Sequence, residues 1–268
     1  MANKLVAVIA VVVVIALVGA GIAIFLLNGD KPKDINTIED LKGAKIGVQT
    51  GTTGDLYVTD EYEANNSAKI SRYTAYPDVF TDLKNKKIDA IVMDKAPAEA
   101  YIKKYEGLKI LDDILSEEDY GFIFNKSTGA ALRDEFNTAM ASDDVKDQIA
   151  KIKAYWYDHS TGEAEPYVNS TGTGTKITVA TSPDFPPYDA LYNNKFTGID
   201  MDIIRAICNK LNYQVEFKNV DFDSVITEVI SGTSDMGASG ISITDERSEK
   251  VLFSTAYENS QIVVVARA

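Results

Sequence analysis

Tyr76-Pro-Asp-Val-Phe80 leading to Ile88-Asp-Ala-Ile-Val-Met-Asp94, and Phe222-Asp-Ser-Val-Ile226 leading to Ser234-Asp-Met-Gly-Ala-Ser-Gly240, are one phrase written twice. Setting Asp89 against Asp235 brings Tyr76 onto Phe222 and Val79 onto Val225 without a gap. Upstream, Lys45-Ile-Gly-Val-Gln-Thr50 enters Gly51-Thr-Thr-Gly54, and Lys176-Ile-Thr-Val-Ala-Thr181 enters Ser182-Pro-Asp-Phe-Pro-Pro-Tyr188. Each unit reads as an apolar strand, an acidic-aromatic helix start and a second strand preceded by Asp. Two similar α/β units in one chain predict two lobes facing a shared cleft, where open α/β sheets place ligands.

Working outward, strands are expected at 45–50, 69–74 and 90–94, with helices near 55–64, 77–86 and 96–105. Short strands alternating with helices specify a parallel sheet covered on both faces. Gly121-Phe-Ile-Phe-Asn125 is a further strand, followed by helices near 128–140 and 143–157. Residues 158–175 have the small, polar composition of a flexible linker. In the second unit a helix near 199–212 puts Ile203, Ile204, Ile207 and Leu211 on one stripe, and Ile262-Val-Val-Val-Ala266 closes the chain as a strand.

The charge balance is 27 basic against 40 acidic residues, a net −13, which argues against nucleic acid and anionic lipid as partners. Cys208, Trp156 and His159 are each the single residue of their kind. They leave no raw material for a histidine metal cluster or a Cys-His nucleophile pair, so no metal, cofactor or catalytic residue is expected. Cys208, in an apolar helical run, reads as a buried core residue. Residues 5–27 carry no charge, and a membrane span needs about 20 apolar residues. Residues 1–34 are therefore expected to be a retained anchor with the rest of the chain outside the cell. Small residues at Gly19-Ala-Gly21 leave cleavage of a signal open.

Segment 176–264 resembles the first half of the bacterial family 3 extracellular solute-binding proteins, the amino-acid-binding proteins of ABC importers. The phrases that carry the likeness are Ser182-Pro-Asp-Phe-Pro-Pro-Tyr188, Phe196-Thr-Gly-Ile-Asp200 and Ser239-Gly-Ile-Ser-Ile-Thr-Asp-Glu-Arg247. Segment 36–157 resembles the second half of the same family through Ile38-Glu-Asp-Leu-Lys-Gly43, Gln49-Thr-Gly-Thr-Thr-Gly54, Ile88–Asp94 and Tyr155-Trp-Tyr157. The halves stand in the reverse of family order, so the resemblance implies a circular permutation; a lobe-swapped array is the competing arrangement. The implied fold is α/β, two-lobed and periplasmic-binding-protein-like (type II). Residues 35–119 would form the ligand-closing lobe. Residues 120–157 would form a hinge crossover with helices packing on the other lobe, 158–175 the linker, and 176–268 that other lobe with a terminal hinge strand. Only one covalent crossover, at Tyr120-Gly121, is expected to remain, with Ile35 and Ala268 near each other at the hinge.

A free amino acid is a zwitterion, so its site needs a cation, oriented N–H donors and an anion. An isolated Arg247 after Asp-Glu is by itself an ordinary surface residue. The resemblance makes it the carboxylate-binding guanidinium, which pairs bidentately where Lys cannot. Ser242 and the backbone at Gly240 would lie beside it, the Gly240 carbonyl facing the substrate ammonium, and Ser239 would also be a ligand-binding residue. Across the cleft, Gly51, Thr52 and Thr53 sit between a strand and a helix start, a place for an anion or simply a helix cap. Asp94 would hold the ammonium or cap the helix that follows. Phe185 and Phe222 would sandwich the ligand side chain. Ser182, Asp184, Gln49 and Met93 fall where relatives vary with ligand. The expected function is a monomeric, membrane-tethered receptor delivering a polar amino acid to an ABC permease. An extracellular sensor acting through a partner, or a cyclohexadienyl dehydratase-like enzyme, is the alternative.

Overall fold

The computed structural model describes residues 31–268, and Asp34–Ala268 form one compact unit. The uncharged run 5–27 lies outside the described residues. Among the described residues no helix is long and apolar enough to cross a membrane.

The unit is built on two five-stranded sheets. In the first, β1 (Lys45–Gln49) lies between β2 (Lys69–Tyr73) and β3 (Ala90–Asp94), all parallel. Every residue of β3 is buried, as expected of a strand covered on both faces. The order continues through β13 (Glu258–Arg267), antiparallel to β3, to β4 (Leu108–Tyr120), antiparallel to β13. In the second sheet the order is β10 (Gln214–Asn219), β6 (Lys176–Thr181), β11 (Met236–Gly237), β5 (Ile123–Asn125) and β12 (Val251–Phe253). Here too three parallel strands are followed by an antiparallel fourth. A small antiparallel sheet, β7 (Asp184–Phe185), β8 (Asp189–Tyr192) and β9 (Lys195–Thr197), decorates this second lobe.

The written repeat is a physical one. Asp89 accepts from the Lys45 backbone N–H at 2.9 Å and returns its own N–H to the Lys45 carbonyl at 2.7 Å. Asp235 does the same with Thr178, at 2.7 and 3.0 Å. In both lobes an Asp before the third strand ties that strand to the first.

The helices are α1 (Thr53–Val58), α2 (Tyr76–Lys84), α3 (Lys95–Ile102), α4 (Ala130–Ala141), α5 (Asp143–Asp158), α6 (Ile199–Leu211), α7 (Phe222–Ile230) and α8 (Asp245–Lys250). All residues of α6 from Ile199 to Cys208 are buried, more than a one-sided stripe requires, because α4 and α5 cover it from outside. Cys208 is a core residue, its thiol pushed up to about 12 by burial.

Three expectations are corrected. First, the chain crosses between lobes twice. β4 runs through Tyr120 and Gly121 into β5 of the other sheet, and β12 runs through 254–257 into β13. The two crossovers lie side by side, with the Tyr257 N–H on the Tyr120 carbonyl at 3.0 Å and Glu258 paired to Tyr120. The terminal strand therefore belongs to the sheet of the 35–119 lobe, not beside Gly121–Asn125. Its buried valines fit only a central slot, between β3 and β4.

Second, the chain ends do not meet at the hinge. Lys109 pairs with Ala266 and reaches Asn36 Oδ1 at 2.6 Å, at the end of β4 opposite Tyr120. Third, residues 158–175 are a docked segment rather than a free linker. The Tyr167 N–H binds Asp202, the Thr171 N–H binds Asn209, and the Thr173 N–H binds Asn212, at 2.7 to 3.0 Å. The small residues serve close approach: a Cβ on Gly172 would lie 1.9 Å from the Tyr213 carbonyl oxygen.

Candidate ligand-binding site

The cleft is walled by the strand ends and loops of both sheets. From the C-terminal lobe comes Arg247, placed on α8 by a Thr244 cap that accepts the Arg247 N–H at 3.2 Å. The side chain is buried, and its two terminal nitrogens donate to the Ser242 carbonyl at 2.9 Å and to the Gly51 carbonyl at 3.0 Å. Gly51 belongs to the other lobe, so this guanidinium spans the cleft. It also lies 5.8 Å from the Phe222 ring centre, within cation–π range. Burial draws the Arg247 pKa down, while the charges of Glu118 and Asp94 push it back up.

Asp94 ends β3, yet its side chain does not cap α3. It turns toward the hinge and accepts hydrogen bonds from the hydroxyls of Tyr120 and, at 3.0 Å, Ser260. Burial raises its pKa to about 7, with Glu118 adding to the rise and Tyr120, Ser260 and Arg247 opposing it.

Around the Gly51–Gly54 turn the donors are used differently from expectation. The Gly51 N–H goes to Asp55 at 3.0 Å, and the Thr52 hydroxyl accepts the Asp55 N–H while donating to the Gln49 carbonyl. Thr52 is thus the plain helix cap, and Thr53 is the residue whose hydroxyl faces the cleft. Thr53 Oγ1 lies 2.7 Å from Glu118 Oε2 and 3.4 Å from Ser242 Oγ.

The floor is formed by Ser182, Ser239 and Gly240. The Ser239 hydroxyl ties to the Ser182 backbone at 3.2 Å, and Gly240, at φ +53°, gives its N–H to Asp200 at 2.9 Å. A Cβ on Gly240 would stand 2.6 Å from the Phe185 ring, so close approach as well as backbone angle requires glycine here.

Phe185 stacks on Tyr76 of the opposite lobe, ring centres 5.7 Å apart, whereas Phe222 faces Arg247. Asp184, beside Phe185, reaches across to cap α2: it accepts the Tyr76 N–H at 2.9 Å, Gln49 Nε2 at 3.1 Å, and Ser182 Oγ within its own lobe. Burial raises its pKa as well. Met93 is buried in the strand beside Asp94.

The structure thus gathers Arg247, Ser242, Thr53 and Asp94, with Gly51 and Phe222, at one place. It assigns Gln49, Ser182, Asp184 and Phe185 to a neighbouring interlobe contact. Two participants were not singled out beforehand as site residues. Tyr76, the repeat partner of Phe222, stacks on Phe185 of the opposite lobe, and that repeat equivalence is its signal in the sequence. Glu118 lies in the acidic strand β4, for which no element was expected.

A buried acid pair supports the floor. Asp200 also accepts the Tyr257 hydroxyl at 2.6 Å, and burial raises its pKa to about 7, with the charge of Glu258 adding to the rise; Asp189, bound by Thr181, is raised by burial and by the charge of Asp200. A raised folded-state pKa means that the folded protein holds the proton more tightly than the unfolded chain. Stability from these groups is therefore full below the ordinary carboxylate range and lost as pH rises toward neutrality; Asp94, at about 7, has the same sign. Unfolding free energy is expected to fall between pH 4.5 and 7.5, by up to about 1.4 kcal/mol per pH unit for each such group. Asp200→Asn should flatten that slope in urea titrations. A profile unchanged by the substitution would show that the pair ionises freely.

Comparison with known sequences finds relatives for the last third of the chain. The sequence model of the bacterial extracellular solute-binding proteins, family 3, matches residues 177–268. Over 93 residues the chain is 36% identical to ABC transporter arginine-binding protein 1 of Escherichia coli (strain K12), covering 34% of this chain and 38% of that protein. A probable histidine-binding protein of Campylobacter jejuni is 34% identical over 93 residues, 35% of this chain and 36% of that one. The match thus spans a little over a third of these relatives, which are named as binding proteins and not as enzymes.

Among solved structures, an ancestral arginine-binding protein bound to arginine is 38% identical over 29% of this chain and 34% of its own, with a TM-score of 0.28. The ligand-binding component of an ABC-type import system from Staphylococcus aureus, with zinc bound, covers 84% of this chain and 66% of its own at 10% identity and a TM-score of 0.46.

Proposed function

We propose that this protein is an extracellular solute-binding protein that captures a polar L-amino acid between its lobes and delivers it to an ABC permease. The observation that carries the reading is the meeting of Arg247 and Ser242 from one lobe with Thr53 and Asp94 from the other. A guanidinium and two hydroxyls suit a carboxylate, and a buried acid nearby suits an ammonium. Relatives named for arginine and histidine support an amino-acid ligand. Opening and closing would occur as a hinge at the paired crossovers. The run 5–27 would tether this monomeric receptor to the outer face of the membrane, with residues 35–268 outside the cell.

The order of the halves fits a circular permutation within one chain. Its new ends open inside the N-terminal lobe, which leaves both hinge crossovers intact, and the docked 158–175 segment bridges the former termini. Neighbouring ends favour such a rearrangement, and Asn36 and Ala266 are held together through Lys109.

Thermal-shift screening of residues 34–268 against the twenty free amino acids tests the function. At least one polar amino acid is expected to raise the melting temperature. The chain reordered as 176–268 followed by 34–157 should respond to the same one. No shift with any amino acid would sink the reading; a response in the native order only would remove the permutation.

A further inference from the structure

Glu118 is held by the groups that the proposed function assigns to a ligand carboxylate. Its Oε2 accepts from Thr53 Oγ1 at 2.7 Å and from Ser242 Oγ at 2.5 Å, and its Oε1 accepts from Ser116 Oγ at 3.2 Å. Its charge is the first that acts to keep Arg247 protonated against burial. Hydroxyl donors at such distances to a carboxylate make short, charge-assisted bonds. Thr53 stands in the N-terminal lobe and Ser242 in the C-terminal lobe, so one side chain clasps both walls of the cleft.

The strand explains how it gets there. Along β4, Ser116, Glu118 and Tyr120 are sheltered while Glu117 and Asp119 are exposed, the two-residue alternation of a strand with one face on the cleft. Glu118 sits two residues before the Tyr120–Gly121 crossover, and its backbone is fixed by pairing with Ser260 and by the Asn259 amide on its carbonyl. The carboxylate is therefore delivered to the two hydroxyls by the hinge itself.

We propose that Glu118 is a built-in competitor: a tethered carboxylate that occupies Thr53, Ser242 and the field of Arg247, holds the lobes together, and must be displaced by an incoming amino acid. The proposal rests on the amino-acid reading of the cleft. Its consequence is quantitative. If the Glu118-engaged arrangement is populated about nine-tenths of the time, apparent affinity is reduced about tenfold.

The test is calorimetry on residues 34–268 with each of the twenty free amino acids as probe, comparing the wild type with Glu118→Gln and Glu118→Ala. The radius of gyration is measured by small-angle scattering without added amino acid. Glu118→Ala is expected to bind the responding probe about tenfold or more tightly than wild type. It should also show a larger radius that contracts on adding the probe. Glu118→Gln, which keeps the acceptor but loses the charge, should fall between the two.

Equal affinity with an unchanged radius overturns the proposal and leaves the amino-acid reading standing. Weaker binding by Glu118→Ala also overturns it, and assigns Glu118 instead as an acceptor for the ligand's ammonium. If no probe binds any of the three proteins, the reading of the cleft fails and the competitor role fails with it.

Discussion

Replacing Arg247 with alanine is expected to weaken amino-acid binding by about 2–5 kcal/mol, the range for removing one partner of a buried charge pair. The guanidinium is buried, stands between the Ser242 and Gly51 carbonyls, and shares its surroundings with two acids, Glu118 and Asp94. Truncation removes the only positive side chain among those named at the site and leaves the acids facing each other. Arg247→Lys should recover little, because an ammonium cannot present two parallel N–H donors to a carboxylate. The fold should survive, since α8 is capped through Thr244 and the Arg247 backbone rather than its side chain. Calorimetry with the amino acid found by thermal shift reads the loss directly. Wild-type affinity in Arg247→Ala would remove the site assignment while leaving the fold untouched.

Trp156→Ala should be the most damaging single truncation for stability, at about 3–5 kcal/mol. Trp156 is wholly buried near the end of α5, and its indole N–H donates to Asp202 at 2.7 Å. Asp202 is itself buried and held by Arg205 at 2.8 Å and by the Tyr167 N–H at 2.8 Å. One residue therefore fastens α5, α6 and the 158–175 segment together. Removing the ring opens a cavity and strips one donor from a buried carboxylate. Trp156→Phe keeps most of the packing and should cost less, close to the about 1.5–3 kcal/mol of a hydrogen bond to a charged group. Urea unfolding separates the two. A loss below about 1 kcal/mol in the alanine variant would mean that the 158–175 segment does not depend on this anchor.

The two α/β units were legible because their signals are local. Apolar strand runs, helix starts at Tyr76 and Phe222, and the Asp before each third strand all follow from side chains within a few residues of one another. Arg247, Ser242, Thr53 and Asp94 were named for a different reason: they stand in the phrases Ser239–Arg247, Gln49–Gly54 and Ile88–Asp94 that carry the family resemblance, and without it Arg247 reads as an ordinary surface residue. By contrast, β4 was hidden by Asp112, Asp113, Glu117, Glu118 and Asp119, residues that disfavour strands intrinsically. They are tolerated because β4 is the edge of its sheet, where outward charges meet water and discourage further pairing.

Local side-chain patterns specify which segments of each repeat are strands and helices. Long-range packing settled where β13 inserts, that the chain crosses the hinge twice, and that 158–175 docks. It alone also decided that the Glu118 carboxylate meets hydroxyls from both lobes. The physical reason is that pairing order and interlobe hydrogen bonds join residues far apart in the chain, Thr53 and Ser242 above all. Strand pattern fixes the face on which a side chain lies but carries no record of the partner it will meet there.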